Sequence, residues 1–147
     1  MAKHQPSHGE TCPVARALDL IGDRWSLLIV RDAFDGTRRF GDFQQGLGVA
    51  RSVLADRLKR LVDAGILAVA PASDGTAYQE YQLTSQGESL FPLVVALRQW
   101  GERYLFQPGE ARSQLVETHS GQPLGLMQPV TAEGRVVAAG ETQVQKP

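Results

Sequence analysis

The 147-residue sequence predicts a mainly α-helical fold that carries one small β-hairpin. Apolar residues recur at three- and four-residue spacing through most of positions 13–64, the period of helices with one buried side. Two strand-like runs, 66–70 and 78–83, bracket a turn containing Pro71, Asp74 and Gly75. A second helical stripe then runs from 85 to about 106. A hydrophobic share of 42% against 21% charged residues is that of an ordinary globule. No apolar run approaches the roughly 20 residues of a membrane span, and the N-terminus lacks the apolar core of a signal peptide. A cytoplasmic address with no membrane partner is therefore expected.

Pro13 stands where a first helical turn begins, with Val14, Ala17, Leu18 and Ile21 after it, so a short helix ends near Gly22. Asp23 fits as the N-cap of the next helix, 24–34. There Trp25, Leu27, Leu28, Ile29, Val30, Ala33 and Phe34 leave almost no polar face, which predicts burial on most sides. Phe40 and Phe43 mark a short helix ended by Gly46-Leu47-Gly48. A fourth, 51–64, carries Leu54, Leu58, Leu61 and Val62 on one side and ends at Gly65. Ser52, Asp56, Lys59 and Asp63 lie roughly opposite that stripe. After the hairpin, Thr84 or Ser85 caps a long helix to about 106. Ser85 with Glu88 completes a capping box, and Pro92 permits a kink. Pro108-Gly109 breaks the pattern. The expected organisation is a flexible arm at 1–11, a folded domain at 12–107, and a short β-rich appendage or partly ordered tail at 108–147.

A net charge of −1 does not by itself point to nucleic acid, but its distribution is uneven. Between 38 and 60, Arg38, Arg39, Arg51, Arg57, Lys59 and Arg60 face only Asp42 and Asp56; from 61 onward nine acids face five bases. A local basic stretch can supply phosphate contacts without a high overall pI, although a merely solvated face has the same composition. A helix-turn-helix needs its second helix held by apolar contacts on one side while its N-terminal part enters the major groove. Residues 40–64 meet that need, and the hairpin directly after Gly65 stands where a wing would. The fold class is thus a winged helix-turn-helix. Its candidate DNA-binding residues are Arg38, Arg39, Arg51, Ser52, Val53, Ala55, Asp56, Lys59 and Thr76. Arg and Ser side chains reach base edges or phosphates, and Val and Ala meet thymine methyls. A three-helix packing unit with a solvated face remains the alternative at this point.

On the last helix Leu90, Leu93, Leu97, Trp100 and Tyr104 alternate spacings of three and four, as in a coiled-coil seam. A second line, Phe91, Val94, Val95 and Leu105, widens the face. Two lines suggest one for the chain itself and one for a homodimer partner; one wide core face is the other reading. Cys12 precedes Pro13 at a helix N-terminus, where the macrodipole favours a thiolate, which makes it a candidate redox sensor or an inert small residue. As the single cysteine it can form a disulfide only between subunits or with a small thiol.

The motifs themselves resemble a known family. The stretch from Cys12 through Asp19-Leu20-Ile21-Gly22-Asp23-Arg24-Trp25 is similar to the opening of HxlR-type regulators, a MarR-like winged-helix family. So are Arg38-Arg39-Phe40-Gly41-Asp42-Phe43, Leu54-Ala55-Asp56-Arg57-Leu58-Lys59-Arg60-Leu61, Tyr78-Gln79-Glu80-Tyr81-Gln82-Leu83-Thr84 and Gln99-Trp100-Gly101-Glu102. The resemblance covers about 12–106. It implies a regulator, repressor or activator, that binds a pseudo-palindromic operator in double-stranded DNA. It also implies dimerisation through the N- and C-terminal helices, and some relatives sense oxidants or electrophiles at the position of Cys12. A small-molecule or electrophile effector is accordingly expected. Two departures stand out. Ala50 occupies the place of a capping Ser, and the wing has no Lys or Arg but carries Asp74. Both favour the competing expectation, a dimeric winged-helix interaction module without specific DNA binding. His4, His8 and His119 lack metal-ligand spacing, and no phosphate loop or nucleophile motif is present. No catalytic, metal or cofactor site is expected, and no enzyme.

Overall fold

Residues 11–147 are described by the computed structural model. The expected N-terminal arm, with His4 and His8, lies outside them apart from Thr11. The order is α1 (Pro13–Ile21), α2 (Arg24–Phe34), α3 (Phe40–Leu47), α4 (Arg51–Asp63), β1 (Leu67–Pro71), β2 (Gln79–Leu83), α5 (Ser85–Glu88) and α6 (Phe91–Tyr104). A mainly helical chain with one antiparallel hairpin is the fold class expected from the sequence. Two compact units are formed, one ending at Phe91 and the other beginning at Pro92.

In the first unit, helix starts follow local chemistry. Pro13 opens α1 behind Cys12, whose Sγ accepts the Ala15 N–H at 3.4 Å. Asp23 opens α2, accepting from the N–H groups of Trp25 (2.9 Å) and Ser26 (3.0 Å). The core is Ile29, Val30 and Ala33 of α2, Phe43 of α3, and Leu54, Leu58 and Leu61 of α4, closed by Ile66 and Leu67. Burying such side chains, at about 1.5–3 kcal/mol each, is what holds α4 to the rest. The near-total burial expected for α2 is reached on one side only: Trp25, Leu27, Leu28 and Phe34 are half-buried within the chain. β1 and β2 pair from Leu67↔Leu83 to Pro71↔Gln79. The Tyr81 N–H donates to the Arg38 carbonyl at 2.7 Å, which roots the hairpin in the loop before α3.

The single long helix expected after the hairpin is two helices. Thr84 is the cap, its Oγ1 accepting the Gly87 N–H at 3.1 Å, and α5 ends after one turn. The Leu90 N–H turns back to the Gly87 carbonyl, and α6 starts at Phe91. Pro92 explains the break, since it has no N–H for the Glu88 carbonyl and its ring would collide with that carbonyl in a continuous helix. Proline is tolerated in a first turn, so α6 begins there instead. Leu90 consequently lies outside α6 and is half-buried, and the exposed stripe of the expected seam begins at Leu93.

In the second unit, Val95 is the buried residue of α6, and a small cleft is lined by Val95, Arg98, Gln99, Leu115, Pro123 and Leu124. The Gln99 side-chain amide donates to the Gly125 carbonyl at 2.9 Å and its oxygen accepts the Met127 N–H at 2.7 Å. Arg98 donates to the Ser113 hydroxyl at 2.9 Å. Residues 113–127 are thereby strapped to one face of α6. The expected β-rich character is limited to isolated bridges, Val116↔Pro123 and Val130↔Val136, with a 3₁₀ turn at Ala139–Glu141. Gly121 and Gly134, both with positive φ, reverse the chain before a ladder can lengthen.

Candidate nucleic-acid interface

Three residues, Gly48, Val49 and Ala50, join α3 to α4. Gly48 takes φ +62°, which a side chain would disfavour, and its N–H closes α3 on the Gln44 carbonyl. Val49 is buried under the turn. α4 leaves this turn with Leu54, Leu58 and Leu61 inward, so Arg51, Ser52, Ala55, Asp56 and Lys59 are exposed and Val53 half-exposed. Ala50 caps α4 in the extended conformation required but offers no side-chain acceptor, as its identity predicts.

The N-terminal end of α4 borders an open cleft of about 680 Å³ between α3 and the wing, lined by Arg39, Phe40, Arg51, Tyr78, Gln79 and Tyr81. Two guanidinium groups flank it, each over an aromatic ring. Arg51 lies 4.9 Å from the Phe40 centroid and Arg39 5.1 Å from that of Tyr78. Such stacking fixes the plane of the cation and leaves its N–H edge for an anion. Phe43, not Phe40, is the deep anchor of α3, packing edge-on to Tyr81 at 6.5 Å.

The remaining candidates separate by what already holds them. Arg38 turns inward, donating to the carbonyls of Ala33 (2.7 Å) and Thr37 (3.0 Å) at the C-terminal end of α2. Arg39, its neighbour, turns outward, forming an ion pair with Asp74 and reaching Thr76 Oγ1 at 3.5 Å. Lys59 pairs with Asp63 at 2.6 Å, and that hydrogen bond holds the ammonium above its usual pKa. Asp56 meets Arg57 Nη1 at 3.3 Å. Arg57 itself is drawn to the N-cap of α2, with Nε 3.2 Å from Asp23 Oδ2. The approach is too oblique for a hydrogen bond and leaves an ion pair.

The sequence alone does not single out Tyr78 as a site residue, and the wing itself carries no Lys or Arg. Arg39 supplies a cation from 35 positions away in the chain. The one local signal was an exposed aromatic at the end of an otherwise small and polar loop. Cys12 is half-buried at the N-cap of α1, with Val14 and Leu18 exposed beyond it. Leu93, Leu97, Trp100 and Tyr104 are all exposed, and Trp100 and Tyr104 pack together at 5.5 Å. Among the described residues no cluster of His, Cys, Asp or Glu could hold a metal ion, and no helix is long and apolar enough to cross a membrane.

Comparison with known proteins gives a consistent result. The family model described as HxlR-like helix-turn-helix matches residues 20–108. An HTH-type transcriptional regulator of Mycobacterium tuberculosis is 42% identical over 124 residues, spanning 76% of this chain and 78% of that protein. The crystal structure of PA1607, described as a candidate transcription factor, superposes with a TM-score of 0.87 at 52% identity. It covers 93% of this chain and 96% of its own, and so extends into the segment beyond 108 that the family model leaves unmatched. The oxidised form of the redox regulator HypR superposes with a TM-score of 0.57 at 31% identity, covering 63% of this chain and 96% of that one.

Proposed function

Because the chain belongs to the HxlR-like helix-turn-helix family and is a DNA-binding transcriptional regulator, we propose that it acts as a homodimer on a pseudo-palindromic operator. The observation that carries this reading is the exposed N-terminal end of α4 beside a cleft flanked by two aromatic-backed guanidinium groups. In the proposal α4 enters the major groove. Arg51 and Ser52 reach bases or phosphates, Val53 and Ala55 meet thymine methyls, and Asp56 and Lys59 adjust the edge of the contact. Arg39 and Thr76 meet the backbone beside the wing. Arg38 contributes through its hold on α2 and the wing root.

The dimer is assigned to the exposed Leu93, Leu97, Trp100 and Tyr104 of α6 with Leu90 of the same sequence pattern, and, separately, to the exposed Val14 and Leu18 of α1. A two-fold pair would set two α4 helices about one turn of B-DNA apart. No enzymatic role is proposed, and the site of action is the cytoplasm, with DNA as partner. Oxidation or alkylation of Cys12 would remove the Sγ cap from α1 and so bear on that surface; the HypR likeness supports a redox effector. The interaction-module alternative drew on a wing without a cation, and Arg39 weakens that ground.

Binding to a duplex of arbitrary sequence, followed across a salt series, tests the reading. The full chain should give a steep negative slope of log K against log salt, and Arg51→Ala should reduce it by about one phosphate contact, near 0.9 in slope. A wild-type slope near zero would sink the proposal. Leu97→Glu should elute as a monomer, and Cys12→Ser should abolish any release by diamide.

A further inference from the structure

Arg39 and Arg51 flank the same cleft but differ in one respect. Among the described residues no carboxylate is paired with Arg51, whereas Arg39 is ion-paired with Asp74. The Tyr78 ring takes the face of the Arg39 guanidinium, and the carboxylate takes its N–H edge. That edge is the one a phosphodiester oxygen would use.

Asp74 is also held by a partner other than Arg39. Its Oδ1 accepts the Thr76 N–H at 3.0 Å, in a turn where Gly75 adopts φ +78° and donates to the Ala72 carbonyl. The position of the carboxylate is therefore set by the wing's own backbone. The N–H and hydroxyl of Thr76, and then Arg39, hold its carboxyl below the usual range, so it is anionic at neutral pH. Both partners are open to solvent, with side chains 32% and 50% exposed. An ion pair so exposed adds little to fold stability, which leaves its role to be sought in the cleft that Arg39 lines.

We propose that Asp74 occupies, in the free protein, the place of a DNA backbone phosphate on Arg39, and that a phosphate must displace it for the wing to engage. The inference rests on the reading of the cleft as a DNA interface. Its consequence is a wing whose attraction for arbitrary DNA is suppressed. An incoming phosphate gains the Arg39 edge but meets a carboxylate fixed beside it, so the contact forms only where α4 has already seated. Asp74 then acts as a specificity-determining residue, although it carries the charge that DNA repels.

The experiment uses the full chain, an arbitrary 30-base-pair fluorescent duplex as probe, and a potassium chloride series read by anisotropy. Four proteins are compared: wild type, Asp74→Asn, Arg39→Gln and the double variant. Asparagine keeps an acceptor for the Thr76 N–H, so the turn survives, and thermal melts confirm this. Asp74→Asn should bind about three- to tenfold tighter near 0.1 M salt, with the slope steeper by about 0.9 for each wing engaged. In the Arg39→Gln background the same change should gain less than about twofold, which isolates the pair. Equal or weaker binding by Asp74→Asn, with the wild-type slope still steep, overturns the inference and leaves the DNA interface standing. An equal gain in both backgrounds also overturns it, because bare charge then suffices. A flat wild-type slope removes the interface and the inference together.

Discussion

Arg57 of α4 and Asp23 at the start of α2 form an ion pair, with Nε 3.2 Å from Oδ2. One carboxylate thus caps α2, accepts the Ser26 hydroxyl at 2.5 Å and fixes the inward side of α4. The helix proposed to meet DNA and the helix at the centre of the core share a fastening. Asp23→Ala should destabilise the fold by about 1–3 kcal/mol, through the lost cap and the half-buried Arg57 Nε left without its carboxylate, Asp56 still holding Nη1. Asp23→Asn keeps the cap acceptor and should cost about 1 kcal/mol or less. Urea unfolding of the three proteins measures both values, and equal stability of Asp23→Ala and wild type would refute the shared fastening.

The same carboxyl gives the stability a pH dependence. Burial pushes the Asp23 carboxyl up, but the Ser26 hydroxyl and N–H, the Trp25 N–H and the Arg57 charge outweigh it and hold it below the ordinary aspartate value of 3.8. A depressed native pKa contributes stability that is present above the unfolded value and lost as pH falls through the native one. The stability difference between wild type and Asp23→Asn should stay constant above about pH 5 and shrink below 3.8. A difference unchanged down to about pH 3 would contradict this sign.

Ala50 leaves the first N–H groups of α4 without a side-chain acceptor, although its backbone (φ −61°, ψ 141°) already suits a cap. Ala50→Ser should therefore add about 0.5–1 kcal/mol and raise the melting temperature by about 2–4 °C. Circular dichroism at 222 nm follows the transition. An unchanged or lower melting temperature would show that these amides are already satisfied.

Gly87 and Gly101 make a matched pair. A Cβ at Gly87 would lie 2.2 Å from the Ile66 carbonyl oxygen and 3.0 Å from Leu83 Cδ2, whereas one at Gly101 meets nothing within 4 Å. Gly87→Ala should cost more than about 2 kcal/mol, since the obstacle is backbone where the chain enters the hairpin. Gly101→Ala should be neutral or add about 0.5–1 kcal/mol of helix propensity. Chemical denaturation of both variants decides the matter, and similar effects at the two sites would count against the described packing.

Much of this was legible in the sequence because it is local. The spacing of Leu54, Leu58 and Leu61 fixes which side of α4 is buried, and with it which residues are exposed. Asp23 and Pro13 announce their helices from adjacent positions. The break before α6 was not legible in the apolar pattern, which runs through Leu90 and Leu93 without interruption although Pro92 stops the ladder. Arg38 and Arg39 are indistinguishable as letters, yet extended backbone at Arg39 (φ −100°, ψ 147°) sends neighbouring side chains to opposite sides. One therefore serves α2 and the other the wing. The Arg39–Asp74 pair depends on the hairpin bending back over α3, which no periodicity within either segment records.

The hairpin is anchored at its stem. The Tyr81 N–H is bound to the Arg38 carbonyl, Thr84 Oγ1 donates to the Gly65 carbonyl at 2.5 Å, and the register runs outward from Leu67↔Leu83. None of these bonds involves the tip at 74–77, which is exposed throughout. The tip is thus a replaceable part on a fixed mount. A tip of this kind can be lengthened, shortened or reversed in charge by insertion and drift, while the mount and the core beneath it inherit no obligation to change.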